Sequence, residues 1–355
     1  MGGTWTAGTK EIIPGIYTNV VDAATAAITG GQRGVVAIPI FEHAGTAEDG
    51  KFYVISDINE AKPLFGSANV GAIELALSGG AKNVLAYAVP AKEPEGDYDY
   101  DSILSEFTTQ QFNVFVYPAE QSTGVEDKTK AWVVSCRNEE GKQFTYVAGG
   151  TAEDDKTPER GNARSTRLKD KYVVNLINGG IAGGEELHSG KYAAYIAGII
   201  AATPINKSIT FMQLPLSDVN KRLKRVEQET ALKAGSLVLV NDGAKVKVLQ
   251  GVTTDSDEAK RGKIRSACAR QAIITDISRT VEDNYIGKID NNPDGQAALI
   301  SAIKAYLEVL EDENVLMEPI VELDPKYESV GDSVYLLVSY VDVDSMEHVY
   351  LTISA

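Results

Sequence analysis

The sequence predicts an α/β protein: a mainly parallel sheet covered on both faces by helices, followed by a second unit of mixed strands and helices. Three observations carry this expectation. Up to about Thr210, helix-patterned segments alternate with short, continuously apolar runs, the pattern of strands buried on both sides of a parallel sheet. From Ser208 the texture changes to turn-rich strands and then to two longer helices. At 355 residues the chain also exceeds the ~250 at which a single hydrophobic core usually stops growing.

The first thirty residues carry Gly, Thr, Pro and scattered apolar residues without a sustained period, and KEIIPGIYTNVV is their one extended candidate. Pro14 forbids a helix there and Gly15 loosens it further, so the segment reads as an arm. RGVVAIPIFEHAG follows, a β-branched run whose internal Pro39 suits a bulged or edge strand. The helix–strand alternation then begins. NVGAIELALSGGAK precedes NVLAYAVP, YDSILSEFTTQQ precedes NVFVYPA, VEDKTKAWVVSCRNEEG precedes QFTYVAG, and KYVVNLINGG precedes SGKYAAYIAGIIAAT. AAYIAGIIAAT is about half the ~20 apolar residues that cross a bilayer and reads as a buried helix.

Beyond Ser208 come SITFMQLPL and then SLVLVNDGAKVKVLQGVTT, whose Asn241-Asp242-Gly243 is a hairpin turn. Ile264, Ala267, Cys268, Gln271, Ile274, Ile277 and Val281 follow at the spacing of an amphipathic helix. A second helix, DGQAALISAIKAYLEVLEDEN, leads to DSVYLLVSYVDVDSMEHVYLTISA, read as two alternating strands with a polar turn between them. Val334, Leu336, Val338 and Tyr340 share one face of the first; Val349, Leu351 and Ile353 share one face of the second. A terminal strand with a full apolar face is either the edge of its own sheet or a strand given to another chain, because left bare it invites aggregation.

Composition removes several classes of function. With 50 acidic against 34 basic residues the net charge is −16, which would repel phosphates over most of the surface, so no nucleic-acid partner is expected. No signal-peptide core and no membrane-spanning run is present, so no membrane insertion is expected. Met1-Gly2 is a weak echo of a lipidation start. Cys136 and Cys268 lie far apart, outside any CxxC, and read as buried reduced thiols of a reducing compartment.

KEIIPGIYTNV, RGVVAIPIFEHAG, GKYAAYIAGIIAATPINKSITF, SLVLVNDGAKVKVLQGVTT and the basic segment KRGKIRSACARQAIITDI, in this order, resemble the tail sheath proteins of contractile phages, R-type bacteriocins and defective prophages, in particular the short sheaths without large decorating domains. The resemblance implies an outer Rossmann-like α/β domain plus an inner α+β domain whose strands are completed by the N- and C-terminal arms of neighbouring subunits. It implies an arm at 1–20, a mainly outer domain at 21–210 whose first strands belong either to it or to the inner domain, an inner domain at 211–342 and a donated strand at 343–355. The linker positions it implies are Ile12, Ile13, Ile16 and Tyr17 at one end and Val349, Tyr350, Leu351, Thr352 and Ile353 at the other. A basic cluster, Lys260, Arg261, Lys263, Arg265 and Arg270, would face the tail tube; equally, with Asp255, Asp257 and Glu258 close by, it reads as a solvated helix face. The implied partners are further copies in a helical polymer, a tail tube protein, and baseplate and tail-terminator proteins, assembled in the cytoplasm of a bacterial host. No enzyme activity, cofactor or metal is implied.

The rival reading is a soluble α/β nucleotide-binding enzyme using the Gly-rich loop at 179–184. That loop stands between a strand and a helix, where helix amides would meet a phosphate. Its details suit a nucleotide poorly. Five residues separate Gly184 from Gly190-Lys191, Tyr192 stands where a Mg²⁺-binding hydroxyl is needed, and Gly180 and Gly183 complete no GxGxxG. His43, His188 and His348 are scattered, with no HExxH and no GxSxG beside them. AEDDK (152–156) lacks the Gly and Glu of a calcium loop.

Overall fold

A computed structural model describes residues 2–3, 16–17, 27–31, 33–92, 96–255 and 262–354. At the N-terminus two short strands, β1 (Gly2–Gly3) and β2 (Ile16–Tyr17), pair in parallel. The main sheet then builds from β3 (Val35–Ile40), β4 (Phe52–Ile55), β5 (Asn83–Ala88), β6 (Val114–Val116), β7 (Thr145–Gly149) and β8 (Val173–Leu176), in the order β4-β5-β3-β6-β7-β8. All neighbours run parallel except β4, which is antiparallel to β5 and forms one edge. Pro39 sits inside β3, between β5 and β6, a more central strand than its proline suggested. The two faces of β3 are covered, and the burial of its neighbours outweighs one missing donor.

Helices α1 (Ile58–Phe65), α2 (Gly71–Ser78), α3 (Tyr100–Thr108), α4 (Thr123–Asn138), α5 (Ala152–Asp155), α6 (Pro158–Arg167) and α7 (Ser189–Ala202) link and cover the strands. One face of the sheet is aliphatic, closed by α1, α2 and α7. The other, under α3 and α4, is aromatic, with Phe107 and Phe115 edge-to-face at a centroid distance of 5.1 Å. Helix α7 is buried almost all round, as its unbroken apolar run predicts. Its closeness to α2 depends on glycine: a Cβ on Gly198 would stand 2.1 Å from the Ala76 carbonyl oxygen. Backbone cannot yield there as a side-chain tip would. Gly198→Ala is therefore expected to lower stability by ~3 kcal/mol, read as a drop in the urea midpoint at unchanged slope; an unaltered midpoint would show that the two helices are free to separate.

Residues beyond α7 fold back onto the same core. β9 (Gly180–Ala182) pairs with β10 (Glu185–Leu187) and β12 (Asp218–Val219); β11 (Gln213–Leu214) pairs with β14 (Val246–Val248), which forms the expected hairpin with β13 (Leu239–Asn241) around the Asn241–Gly243 turn. Helix α8 (Arg225–Lys233) lies between them. Leu237 bridges β8 in parallel, and Leu214, Leu216, Val219, Leu239 and Val246 join the aliphatic core. Residues 211–254, expected in the inner domain, thus pack largely on the α/β core, while Leu223, Ala231 and Val238 form a small cluster of their own with Ile177 after β8.

The second unit is α9 (Ile264–Asn284), α10 (Pro293–Asp312), β15 (Leu316–Leu323) and β16 (Leu336–Asp342), with its own cluster around Ile273, Ile303, Leu307, Leu310 and Val321. Ile28, from the N-terminal segment, completes that cluster. The single apolar stripe expected on α9 is wider and more polar in the structure: Ala269, Gln271, Ile273, Asp276 and Thr280 are buried, while Ile274 is 37% exposed. The reason is that α9 is gripped from two sides. Gln271 Nε2 donates to Thr145 Oγ1 at the start of β7, 3.0 Å away, while Ile273 packs in the second cluster.

Candidate functional site

The last described segment is where apolar residues and solvent meet. Residues 343–354 form neither helix nor strand. The second of the two expected C-terminal strands is therefore not formed in the isolated chain; β16 pairs instead with β15, which sequence reading missed because LMEPIVEL alternates poorly and contains Pro319. The linker positions Val349, Leu351 and Ile353 are 65%, 81% and 87% exposed, and Tyr350 is 92% exposed; Thr352 is exposed beside them. Burying an aliphatic or aromatic side chain stabilises by roughly 1.5–3 kcal/mol. These residues keep the alternating sequence pattern of a strand but have no sheet to pair with in the isolated chain.

The sheet that precedes them in the chain, β15–β16, is incomplete. Leu336, Val338 and Tyr340 of β16 pack inward on the second cluster, as their alternation predicts, while Leu337 and Val341 point outward with Met317 and Ile320 of β15. Among the described residues neither β15 nor β16 has a second neighbour. A two-stranded sheet is marginal alone, and its open edges are templates for further strands.

Both terminal segments leave from buried carboxylates. Near the C-terminus Glu347 turns inward: Gln250 Nε2 donates to it at 2.6 Å, Thr210 Oγ1 at 2.7 Å and Ser345 Oγ at 3.1 Å, and Lys263 Nζ forms an ion pair with it. Burial pushes this carboxyl upward, but the hydrogen bonds from Lys263, Gln250 and Thr210 and the lysine charge outweigh it, holding the pKa at about 2. The clamp thus adds stability above the ordinary carboxyl value of 4.5 and loses it as pH falls through about 2. Carboxyl-carbon NMR of an unassembled subunit is expected to show Glu347 titrating near 2; a midpoint at the ordinary value would show the clamp is open. Near the N-terminus Asp276, in mid-α9, accepts from Gly31 N at 2.9 Å, Arg33 Nη2 at 2.7 Å and Tyr306 Oη at 2.6 Å. Of the N-terminal linker positions, Ile12 and Ile13 lie outside the described residues, and the Ile16 and Tyr17 backbone pairs with Gly2 and Gly3 of its own chain.

The basic cluster is not gathered on one solvent face. Lys260 and Arg261 lie outside the described residues. Lys263 is committed to Glu347, and Arg265 is buried with its Nη2 donating to the Asn314 carbonyl at 2.8 Å. Arg270 is half-exposed, 3.8 Å from Asp342. In the isolated chain the Lys263 and Arg265 side chains are thus spent within the subunit, Lys263 on the buried Glu347 carboxylate and Arg265 on the Asn314 carbonyl.

The glycine-rich loop occupies the crevice at the carboxyl ends of the strands, the usual ligand position of an open α/β sheet. Here the chain fills it. Asp155 Oδ2 accepts from Ser189 N at the start of α7 (2.8 Å), Gly179 N (3.0 Å) and Asn220 Nδ2 (2.7 Å), while Ser189 Oγ donates to Oδ1. The anion at the α7 N-terminus is thus the protein's own carboxylate. A Cβ on Gly179 would stand 1.9 Å from the Leu187 carbonyl oxygen, and one on Gly149 would stand 2.3 Å from that of Ser189. The glycines let backbone pack on backbone. His188 is spent on the Gly150 carbonyl, 3.0 Å away, and AEDDK forms α5, capped by Thr151. Among the described residues no cluster of His, Cys, Asp or Glu has the arrangement of a metal site, and no helix is long and apolar enough to cross a membrane.

The family models for the phage tail sheath protein central domain and the phage tail sheath C-terminal domain match residues 95–254 and 256–355. The chain belongs to the phage tail sheath family. The tail sheath protein of Clostridium phage phiCD119 is 22% identical over 285 residues, 72% of this chain and 76% of the relative. The sheath tail protein of Desulfitobacterium hafniense superposes with a TM-score of 0.74 at 18% identity, over 95% of this chain and 99% of that one. The helical sheath of the anti-feeding prophage in its contracted state gives 0.74 at 15% identity, covering 98% and 99%. The contracted PVC sheath of an extracellular contractile injection system gives 0.75 at 13%, covering 98% of each chain. These likenesses extend the sheath fold over nearly the whole chain, and α9, just beyond the division between the two family models, contributes to three core clusters through Ile264, Ala267 and Ile273.

Proposed function

We propose that this sheath chain is the structural subunit of a contractile tail: it polymerises as a helical cylinder around a tail tube and contracts to drive the tube through a bacterial envelope. One observation carries the reading beyond family membership. The same chain shows an exposed, strand-patterned apolar segment at 349–353 and an open-edged two-stranded sheet, β15–β16. Each needs what the other offers. In the cylinder the C-terminal segment of one copy, including Val349, Tyr350, Leu351, Thr352 and Ile353, adds to the β15–β16 sheet of a neighbour. The N-terminal arm, with Ile12, Ile13, Ile16 and Tyr17, reaches a different neighbour, so main-chain hydrogen bonds connect every copy to several others. The mesh stays connected while the α/β units rotate and move outward, and the energy resides in a metastable packing formed at assembly rather than in a nucleotide.

Tube contact is assigned to the half-exposed Arg270 together with Lys260 and Arg261 of the preceding basic segment. Surface charge pairs of this kind are worth ~0–1 kcal/mol each and release singly. Baseplate and terminator proteins meet the ends of the polymer, and assembly takes place in the host cytoplasm. Electron microscopy of the purified chain tests the reading: striated cylinders are expected, and discrete monomers at high concentration would overturn it.

A further inference from the structure

Glu347 turns inward at the head of an exposed stretch. From His348 to Ser354 every residue is exposed, whereas the Glu347 side chain is 5% exposed. Besides Ser345 of its own segment, its partners come from three separated places: Thr210 after α7, Gln250 after β14, and Lys263 at the N-cap of α9. None belongs to β16, the strand from which the segment runs on. The exit point is therefore pinned to the α/β unit and to the junction of the two units.

Asp344 is the other charged group near Lys263, at 3.8 Å and 58% exposed. It reinforces the same link from the solvent side. The Lys263 ammonium thus faces two carboxylates of the terminal segment and none from elsewhere in the chain among the described residues.

We propose that the Lys263–Glu347 pair is a positioning clamp that sets where and in which direction residues 348–355 leave the subunit, so that they reach the sheet of a neighbouring copy. The proposal rests on the strand-donation reading above and gives Lys263 a role in sheath–sheath contact rather than contact with the tube. Without the clamp the segment swings freely from Asp342, and its effective concentration at the neighbour's sheet edge falls. The clamp orients the segment without touching the neighbour.

The test uses the full chain assembling alone, without tube protein, so that loss of a tube contact changes nothing. Lys263→Glu and Glu347→Lys are each expected to lower the yield of cylinders by about tenfold or more, since breaking a buried pair leaves one charge uncompensated. The double variant Lys263→Glu/Glu347→Lys restores the pair with its polarity reversed, and Gln250 and Thr210 can each turn a donor or an acceptor toward it. It is expected to recover cylinders to within about twofold of the wild type. A purely tube-facing Lys263 would show no effect in this assay; a merely stabilising one would lose and regain cylinders only in step with the melting temperature, whereas the clamp lowers the yield of single variants that are still fully folded at the assay temperature.

A gentler variant, Lys263→Gln, keeps the reading falsifiable if a reversal fails to fold. It is expected to speed cleavage after Glu347 by a glutamate-specific protease, measured by release of the 348–355 peptide. Unchanged cleavage, or single reversals that assemble like wild type, overturns the clamp. So does a folded double variant that fails to assemble. Deleting 348–355 separates the two ideas: if the truncated chain still forms cylinders, strand donation itself is wrong, whereas loss of cylinders there with normal assembly of the single reversals removes only the clamp.

Discussion

Truncation after Glu347 is expected to leave a folded subunit that forms no cylinders. The segment removed, 348–355, makes no strand over its described residues in the isolated chain, and its apolar side chains are exposed, so its loss exposes no core and leaves no buried donor unpaired. Glu347 stays, with its partners. In the polymer the same segment would bury Val349, Tyr350, Leu351 and Ile353, roughly 1.5–3 kcal/mol each before the cost of ordering. Loss of that contribution at every contact of a repeating lattice makes the effect all-or-none. Circular dichroism and melting of the truncated chain, beside electron microscopy, decide the matter. An unfolded truncated chain would mean that the segment belongs to its own subunit.

Asp155→Ala is expected to be the most damaging single substitution within the α/β unit. Its carboxylate, drawn upward in pKa by burial against the opposing hydrogen bonds of Ser189, Asn220 and Gly179, joins α5, the loop after β8, the start of α7 and the segment after β12. Gly179 N has a second acceptor in Asn220 Oδ1, at 2.9 Å. Ser189 N and Asn220 Nδ2 would lose the partner. At ~1–3 kcal/mol per orphaned buried donor the loss is on the order of 4 kcal/mol, a large part of the ~5–15 kcal/mol that holds a domain together. A melting curve is the measurement. A wild-type curve would show that the carboxylate is replaceable by solvent, reopening the crevice to a ligand.

Much of the fold was legible because each signal was local. The apolar runs of β5, β6, β7 and β8, the helical spacing of α2, α3 and α4, the unbroken apolar α7 and the Asn241–Gly243 hairpin stand where periodicity and turn chemistry put them. What was missed depended on partners distant in sequence. β15 was invisible because Pro319 and a bulge between Met317 and Ile320 disturb its alternation, and only pairing with β16 makes it a strand. The buried polar face of α9 was unreadable because Gln271 and Asp276 are satisfied by Thr145 and Arg33, far away in the chain.

The same division separates the two halves of the functional reading. Sequence by itself determined that Val349, Leu351 and Ile353 alternate as in a strand, and left open whether that strand edges its own sheet or is given to another chain: alternation is a property of neighbouring residues, and a strand's two faces follow from backbone geometry alone. Only the tertiary structure decided that the segment is exposed, that Lys263 and Arg265 turn inward, and that Asp155 fills the place of a phosphate. A charged side chain has no period to betray its direction. Its orientation depends on which oppositely charged or hydrogen-bonding group the fold brings within about 3 Å, and that is a property of the packed chain.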